Sequence, residues 1–442
     1  MNEHFYIVQS KAMPKKPKTN LYNSPKEKIK QSLAIPLYTN AMYLVADSVT
    51  TALLGFVFWI VVARFYSPAD VGFATAAISI AIFLSALGCL GFDYSLYRFL
   101  PSTDRPSELI NTSLTFCGIV CLLLGALFLF GLPIWSPNLS FIRGSVVFSL
   151  AFIILVVLLT LSVMAGSGFI ARRQAKFAFF MNSVSVVLRI PLAILLVVFF
   201  HSFGIIAAYT LAMVVAVAIG VFAFLPRVVV GYKMLPQLKT TVIRNVWKYS
   251  SANYLAWLLF SASRWILPVL VLNILGPDAN AYFYIAFTTA SLLFLIPAAV
   301  SSSLFAEGSH FEDKLGENVI RSLKLTFLML VPGVILVFLA GKWLLLLFGE
   351  SYQANAFPVL LLISLSSLPL SINYIYSIVL RVTDRLKELI IIWGLTAIGV
   401  LGGSYLTIPI LGINGVGYAM LGTHTLVTLY IFSTRKLAIP HS

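Results

Sequence analysis

The stretch FVFWIVVARFYSPADVGFATAAISIAIFLSALGCLGFDYSLYRFLP, residues 56–101, decides the fold. It opens in an apolar run that closes on Arg64 and turns through a Ser-Pro-Ala-Asp-Val-Gly segment at 67–72. A second apolar run follows and closes on Gly91, Asp93 and Arg98. Each run is as long as the roughly 20 apolar residues that a helix needs to cross the hydrocarbon of a bilayer. Neither shows the strict alternation of a transmembrane β-strand. The stretch therefore reads as two membrane crossings joined by a short turn.

Working outward, the rest of the chain repeats this pattern. Of 442 residues, 60% are hydrophobic and only 10% are charged, against about 25% charged in soluble domains. So few charges cannot cover so large a core, and the chain is predicted to be an all-α polytopic membrane protein. Twelve apolar segments are expected, at 38–63, 71–93, 110–132, 145–168, 177–200, 203–225, 250–275, 280–304, 320–347, 356–380, 388–408 and 412–433. A large soluble catalytic domain has no room. Residues 1–36 carry seven Lys and no apolar run, and read as a basic disordered cytoplasmic tail rather than a secretory signal. Juxtamembrane lysines of this kind are drawn to anionic membrane lipids.

The charges orient the chain. With the N-terminus inside, 25 of the 30 Lys and Arg fall in cytoplasmic segments, and only Arg64, Arg143 and Lys342 fall outside. Such a bias places both termini in the cytoplasm and supports an even number of spans. It also explains the net charge of +15 without a nucleic-acid partner.

The longest basic loop divides the chain into a six-helix bundle at 37–226, a cytoplasmic linker at 227–249, a second bundle at 250–434 and a short cytoplasmic tail at 435–442. Tyr43 in NAMYLVADS pairs with Tyr254 in SANYLAWLL, Pro68 with Pro277, and Gly131 with Gly349, at offsets of 211, 209 and 218 residues. Six is even, so the halves form a parallel repeat about an axis along the membrane normal, with the substrate path expected between them.

The stretch at 56–101 and the segment LLLLFGESYQANAFPVLLLISLS at 344–366, with its Phe-Gly-x-x-Tyr-x-x-Ala turn, resemble the oligosaccharide flippase (polysaccharide transporter) family. Its superfamily also holds the multidrug-and-toxin extrusion (MATE) exporters and lipid II flippases. The resemblance covers essentially the whole chain after the tail. It implies a MATE-like fold of about 12 transmembrane helices around a central cavity. The substrate it implies is a polyprenyl-pyrophosphate-linked oligosaccharide, turned across a prokaryotic cytoplasmic (inner) membrane for O-antigen, capsule, exopolysaccharide or surface glycan assembly. Polysaccharide polymerase and glycosyltransferases of the same pathway would be its partners.

Charges inside a bilayer are costly, so each is a candidate for function. Arg264 lies mid-span in LLFSASRWILPVL and is the first candidate to grip a pyrophosphate, since a guanidinium stays charged and binds such groups bidentately. The competing reading is an ion pair between helices. Arg189, just before Pro191, carries the same hypothesis, against a bond to carbonyls freed by the proline. Asn182 and Ser185 lie seven and four residues earlier on the same helical face and suggest a cavity wall. Asp47 is a candidate for Na⁺ or H⁺ coupling or for a counter-ion to an arginine, against a carboxylate solvated at the helix end. Asp93 and Arg98 are placed at the cavity mouth, as an interfacial charge pair. Asn253 and Tyr254 are candidate cavity ligands, against the interfacial belt that aromatic residues usually form at span ends.

No catalytic residue, metal site or cofactor is expected. Cys89, Cys117 and Cys121 lie in apolar runs without metal-ligand spacing, and the chain has no Walker loop and no HExxH. A MATE-type exporter of small molecules is the principal rival, favoured by an acidic, aromatic cavity. A membrane glycosyltransferase or polymerase is disfavoured by short outside loops.

Overall fold

The computed structural model describes residues 36–308 and 315–433, with side chains throughout except at 36–38, 198, 199, 201, 202, 245–253, 306 and 308. The expected tails fall outside the described residues, save that Pro36 already opens the first helix.

Among the described residues all regular structure is helical. Twelve helices are long and apolar enough to cross a membrane: Thr39–Phe65, Pro68–Cys89, Pro106–Trp135, Val146–Ala171, Ala175–Val197 and Phe203–Val228 in the first half, then Tyr254–Leu275, Pro277–Phe305, Leu315–Leu346, Glu350–Val382, Leu386–Leu411 and Asn414–Ser433 in the second. They are numbered here as spans 1 to 12. The polytopic all-α architecture and its twelve spans are as the sequence predicts.

Local chemistry explains the turns. Ser67 accepts a hydrogen bond from the Asp70 amide at 3.2 Å, and Pro68 occupies the first turn of span 2, where a missing N–H costs nothing. Spans 5 and 6 belong to one run of helix, Ala175–Ala218, continued by a π-turn at Ile219–Phe224. The run is not straight. A Cβ on Gly204 would lie 2.9 Å from the Leu196 carbonyl oxygen, whereas eight residues of straight helix span about 12 Å. The backbone folds back there, and only glycine leaves room for it.

The halves repeat one another in packing as well as in pattern. Span 1 packs on span 5, and span 7 packs on span 11. Spans 4 and 10 end in the same way. Arg173 (φ 57°) and Asp384 (φ 54°) adopt the left-handed conformation. Gln174 N–H then donates to Phe169 O at 2.9 Å, as Arg385 N–H donates to Leu380 O at 2.8 Å. Arg173 and Asp384 are separated by the same 211 residues as Tyr43 and Tyr254.

Span 2 is the central helix. It packs on spans 7 and 8 of the other half and is the most buried of the twelve, at 78%. Its buried face is built of small residues, among them Gly72, Ala74, Ala76, Ala77 and Ala81, which let backbones approach closely. A Cβ on Gly72 would collide with the Pro277 carbonyl oxygen. By contrast, span 1 barely touches span 8. The halves are therefore joined chiefly along span 2.

Candidate functional site

Two ends of the bundle can be told apart by their loops: a basic end, carrying Arg172, Arg173, Lys176, Arg227, Lys233, Arg381, Arg385 and Lys387, and a far end. At the far end, hydrogen bonds cross between the halves. Asn280 donates to Gly72 O at 2.7 Å and to Thr75 Oγ1 at 3.1 Å. Arg64 donates to Leu347 O at 2.8 Å and to Leu346 O at 2.6 Å. Asn138 donates to Leu272 O and Asn273 to Trp135 O, at 2.8 and 2.9 Å. Ser136 completes the set with a 2.8 Å bond to Asn273 Oδ1. The far end is thus sealed in this conformation.

Above the seal lies a cavity of about 400 Å³, at mid-height, walled by spans 7, 8, 10, 11 and 12 and by Ser79 and Ile82 of span 2. Arg264 lines it. Its guanidinium lies 5.9 Å from the Phe287 ring centre, and none of the ion pairs among the described residues involves it. Among the described residues no carboxylate lines the cavity; Trp257, Trp265, Tyr284, Tyr374 and several hydroxyls do. The interhelical ion pair weighed for Arg264 is therefore not made.

Arg189 is placed differently. Its guanidinium stacks on Tyr209 at 3.7 Å and donates to Ser185 Oγ at 2.8 Å, so Ser185 serves Arg189 and, through its own hydroxyl, Met213 Sδ at 3.0 Å. Arg189 is absent from the wall of the cavity that holds Arg264. Tyr284 bridges the two, within electrostatic reach of both arginines and edge-on to Trp59 at 4.9 Å. Asn182 donates to both carboxylate oxygens of Asp47, at 3.1 and 3.0 Å, and Thr51 adds a further hydrogen bond. The counter-ion reading of Asp47 does not hold: its partner is an amide from span 5, not an arginine, because the polar faces of spans 1 and 5 meet there.

Tyr254 is buried and donates to Ala86 O at 2.7 Å and Leu87 O at 2.9 Å, which pins span 7 to the end of span 2. Its hydroxyl is spent on the backbone rather than offered to the cavity. The side chain of Asn253 lies outside the described residues. Asp93 and Arg98 sit on a short helix, Phe92–Phe99, at the basic end. Five helical residues place side chains about 140° apart, so the charge pair expected from their spacing does not form. Asp93 turns inward, its Oδ1 is buried without a hydrogen-bond partner, and burial pushes its carboxyl up to about 6. Tyr94 beside it senses Arg381 of the second half.

Sequence reasoning missed His424 and Ser263 of the cavity wall. A lone histidine in an apolar span was the available signal for the first; nothing local distinguishes Ser263 from other serines.

Comparison with known proteins agrees with the fold. A family model described as polysaccharide biosynthesis protein matches residues 37–305. The putative O-antigen transporter of Shigella flexneri is 36% identical over 94 residues, which is 21% of this chain and 22% of that protein, so the match spans about a fifth of the relative's length. The lipid II flippase MurJ in an inward closed conformation superposes with a TM-score of 0.75 at 13% identity, covering 89% of this chain and 87% of that one. An inward-facing multidrug resistance MATE transporter gives 0.63 at 17% identity, covering 92% and 97%. At these identities the two solved structures speak for the fold alone, while the family match spans more than half of the chain: this twelve-span membrane protein belongs to the polysaccharide biosynthesis protein family.

Proposed function

We propose that this protein is a transporter, not an enzyme, that flips a polyprenyl-pyrophosphate-linked oligosaccharide across the cytoplasmic membrane. The observation that carries the proposal is Arg264: a permanent cation at mid-membrane, facing a cavity with no acidic residue among the described residues of its wall. Such a charge is costly unless something anionic completes it. A pyrophosphate does so bidentately. The O-antigen transporter and lipid II flippase among the similar proteins support a lipid-linked glycan as the substrate class. A cation exporter would want the opposite charge in this wall.

On this reading the basic end faces the cytoplasm and the sealed far end faces outward. The head group enters from the basic end and docks on Arg264, while the lipid tail stays in the bilayer. Breaking the far seal, with closure of the basic end, then exposes the cavity outward. Asp47, held by Asn182, is where a coupling Na⁺ or proton would ride.

The test is flipping of a labelled polyprenyl-pyrophosphate oligosaccharide in proteoliposomes, wild type beside Arg264→Ala. Wild-type flipping that the variant loses supports the proposal. Equal flipping by both removes Arg264 from the mechanism. Expulsion of a cationic dye, with no lipid flipped, replaces the reading with an exporter.

A further inference from the structure

Spans 9 and 12 both pack on span 10 but scarcely meet each other. Between them runs an apolar groove of about 200 Å³. Val319, Leu323 and Phe327 of span 9 form one wall, Phe432 of span 12 the other, and Ile375 and Tyr376 of span 10 the floor. It lies towards the basic end: Leu346, at the opposite end of span 9, takes part in the far seal, and the groove residues fall in the first half of that helix. It has no lining residue in common with the cavity that holds Arg264.

The first half has the same arrangement, and there the chain itself covers the gap. Spans 3 and 6 both touch span 4 and scarcely meet each other. The segment leaving span 6 turns back across them. Asn111 of span 3 donates to Lys233 O at 2.9 Å, and the Gln237 N–H donates to Thr115 Oγ1 at 3.1 Å. Val229 and Tyr232 are buried in the same core as spans 3 and 4. Asn111 and Thr115 are the sixth and tenth residues of span 3; the sixth and tenth of span 9 are Ile320 and Lys324. An isoleucine has no group for a peptide backbone, and an ammonium cannot accept the N–H that Thr115 accepts. The second half therefore lacks the side chains that hold a peptide across this gap.

What it presents instead is hydrocarbon with a cation at the rim. Lys324 directly follows Leu323 and lies three residues before Phe327, so it stands beside the groove wall. It is exposed and belongs to none of the ion pairs among the described residues, whereas Arg321 pairs with Glu317. Inside a bilayer a dry groove does not select its occupant by hydrophobicity, since lipid chains are as apolar as the wall. Selection falls to the charge. A lysine stem can lie along apolar surface while its ammonium reaches the head-group level, where it attracts anionic lipid.

We propose that this groove holds an acyl chain of an anionic glycerophospholipid, with the head-group phosphate on Lys324. The lipid is a resident one that bridges spans 9 and 12 as the chain's own segment bridges spans 3 and 6, and it is separate from whatever the central cavity carries.

The full-length protein in nanodiscs tests this with two photoreactive lipids, each with a diazirine on one acyl chain: phosphatidylglycerol, which is anionic, and phosphatidylcholine, which has no net charge. Labelled peptides are then mapped by mass spectrometry. The anionic probe is expected to label spans 9, 10 and 12 at the groove about fivefold more than the neutral one, the selectivity of one lysine near the surface. Lys324→Gln should bring that ratio close to one, and Lys324→Arg should keep it; the side chain is exposed, so neither change threatens the fold. Leu323→Trp, which fills the groove, should cut labelling by both probes. Equal labelling of the wild type by the two probes, or a ratio that survives Lys324→Gln, overturns the proposal. No label in the groove means that another occupant, such as residues 434–442 or a second copy of the chain, excludes the lipid, and overturns it too. Displacement of the label by unlabelled polyprenyl pyrophosphate but not by phosphatidylglycerol would give the groove to a transported lipid instead.

Discussion

The two halves share a fold and differ in how they spend their polar groups. In the first half Asp47 is held by Asn182, and Arg189 by Ser185 and the face of Tyr209. In the second half Arg264 lines a cavity and makes no ion pair among the described residues. A duplicated bundle has thus kept its packing while dividing its labour. One copy spends its intramembrane arginine on fixing helix against helix, and the other leaves it free for something that comes and goes. Groups of the first kind should cost stability when removed, and groups of the second kind should cost transport.

The sharpest way to break this contrast is to exchange the arginines' fates. Arg264→Ala should lower flipping by about a hundredfold or more, as expected for loss of a charge-assisted bidentate grip, with little change in melting temperature. Arg189→Ala should do the reverse. It loses a ring stack and a hydrogen bond, and its main effect should be a drop of several degrees in thermal unfolding of the purified protein. Equal transport loss in both, with equal stability, would erase the distinction between the halves. Next in size is Asn182→Ala, which strips Asp47 of two hydrogen bonds inside a span. A buried group left unsatisfied costs about 1–3 kcal/mol, so a lower melting temperature is expected, and Asp47→Asn should recover part of it in the double variant.

The seam between the halves gives a smaller effect. Asn280→Ala removes two bonds of the far seal, and at about 1 kcal/mol each it should raise the far-open population about thirtyfold. Labels on the far ends of spans 2 and 8, followed by distance measurement, would register it, and an unchanged distribution would mean the seal does not hold the closed state. The smallest effect concerns pH. Asp93 titrates near 6 in the folded protein, against about 3.8 for a free aspartate. A raised carboxyl favours the folded state in acid, so its contribution is present below about pH 4 and fades as pH rises through 6. Melting temperature should fall modestly over that window in wild type, and Asp93→Asn should flatten the fall.

How much of this was legible in the sequence follows from what is local. Span number, the parallel repeat and the isolation of Arg264 on an apolar helix are written in runs of neighbouring residues. The bonds of Tyr254 and Asn280 were not, since their acceptors are backbone carbonyls about 170 and 208 residues away. The Asp47–Asn182 pair shows both limits. Each residue stood out as polar within a span, yet an arginine looked the more natural partner for Asp47 until the faces of spans 1 and 5 were seen to meet. His424 was hidden for a related reason: a histidine in an apolar helix means little until its neighbours prove unable to satisfy it.

The far seal has one more property. Arg64, Asn138, Asn273, Asn280 and, at the basic end, Tyr254 all donate to main-chain oxygens of the opposite half. Every residue has such an oxygen, so the accepting side can drift in sequence while the bond persists. Apart from the side-chain pairs Asn280–Thr75 and Ser136–Asn273, each link is therefore recorded in one residue rather than in a matched pair. Correlated substitution between the halves should be faint at these positions, however strong the contact. An interface written this way tolerates mutation on one side and is fragile on the other. A search for coupled pairs would overlook it, and a scan of donor residues would find it.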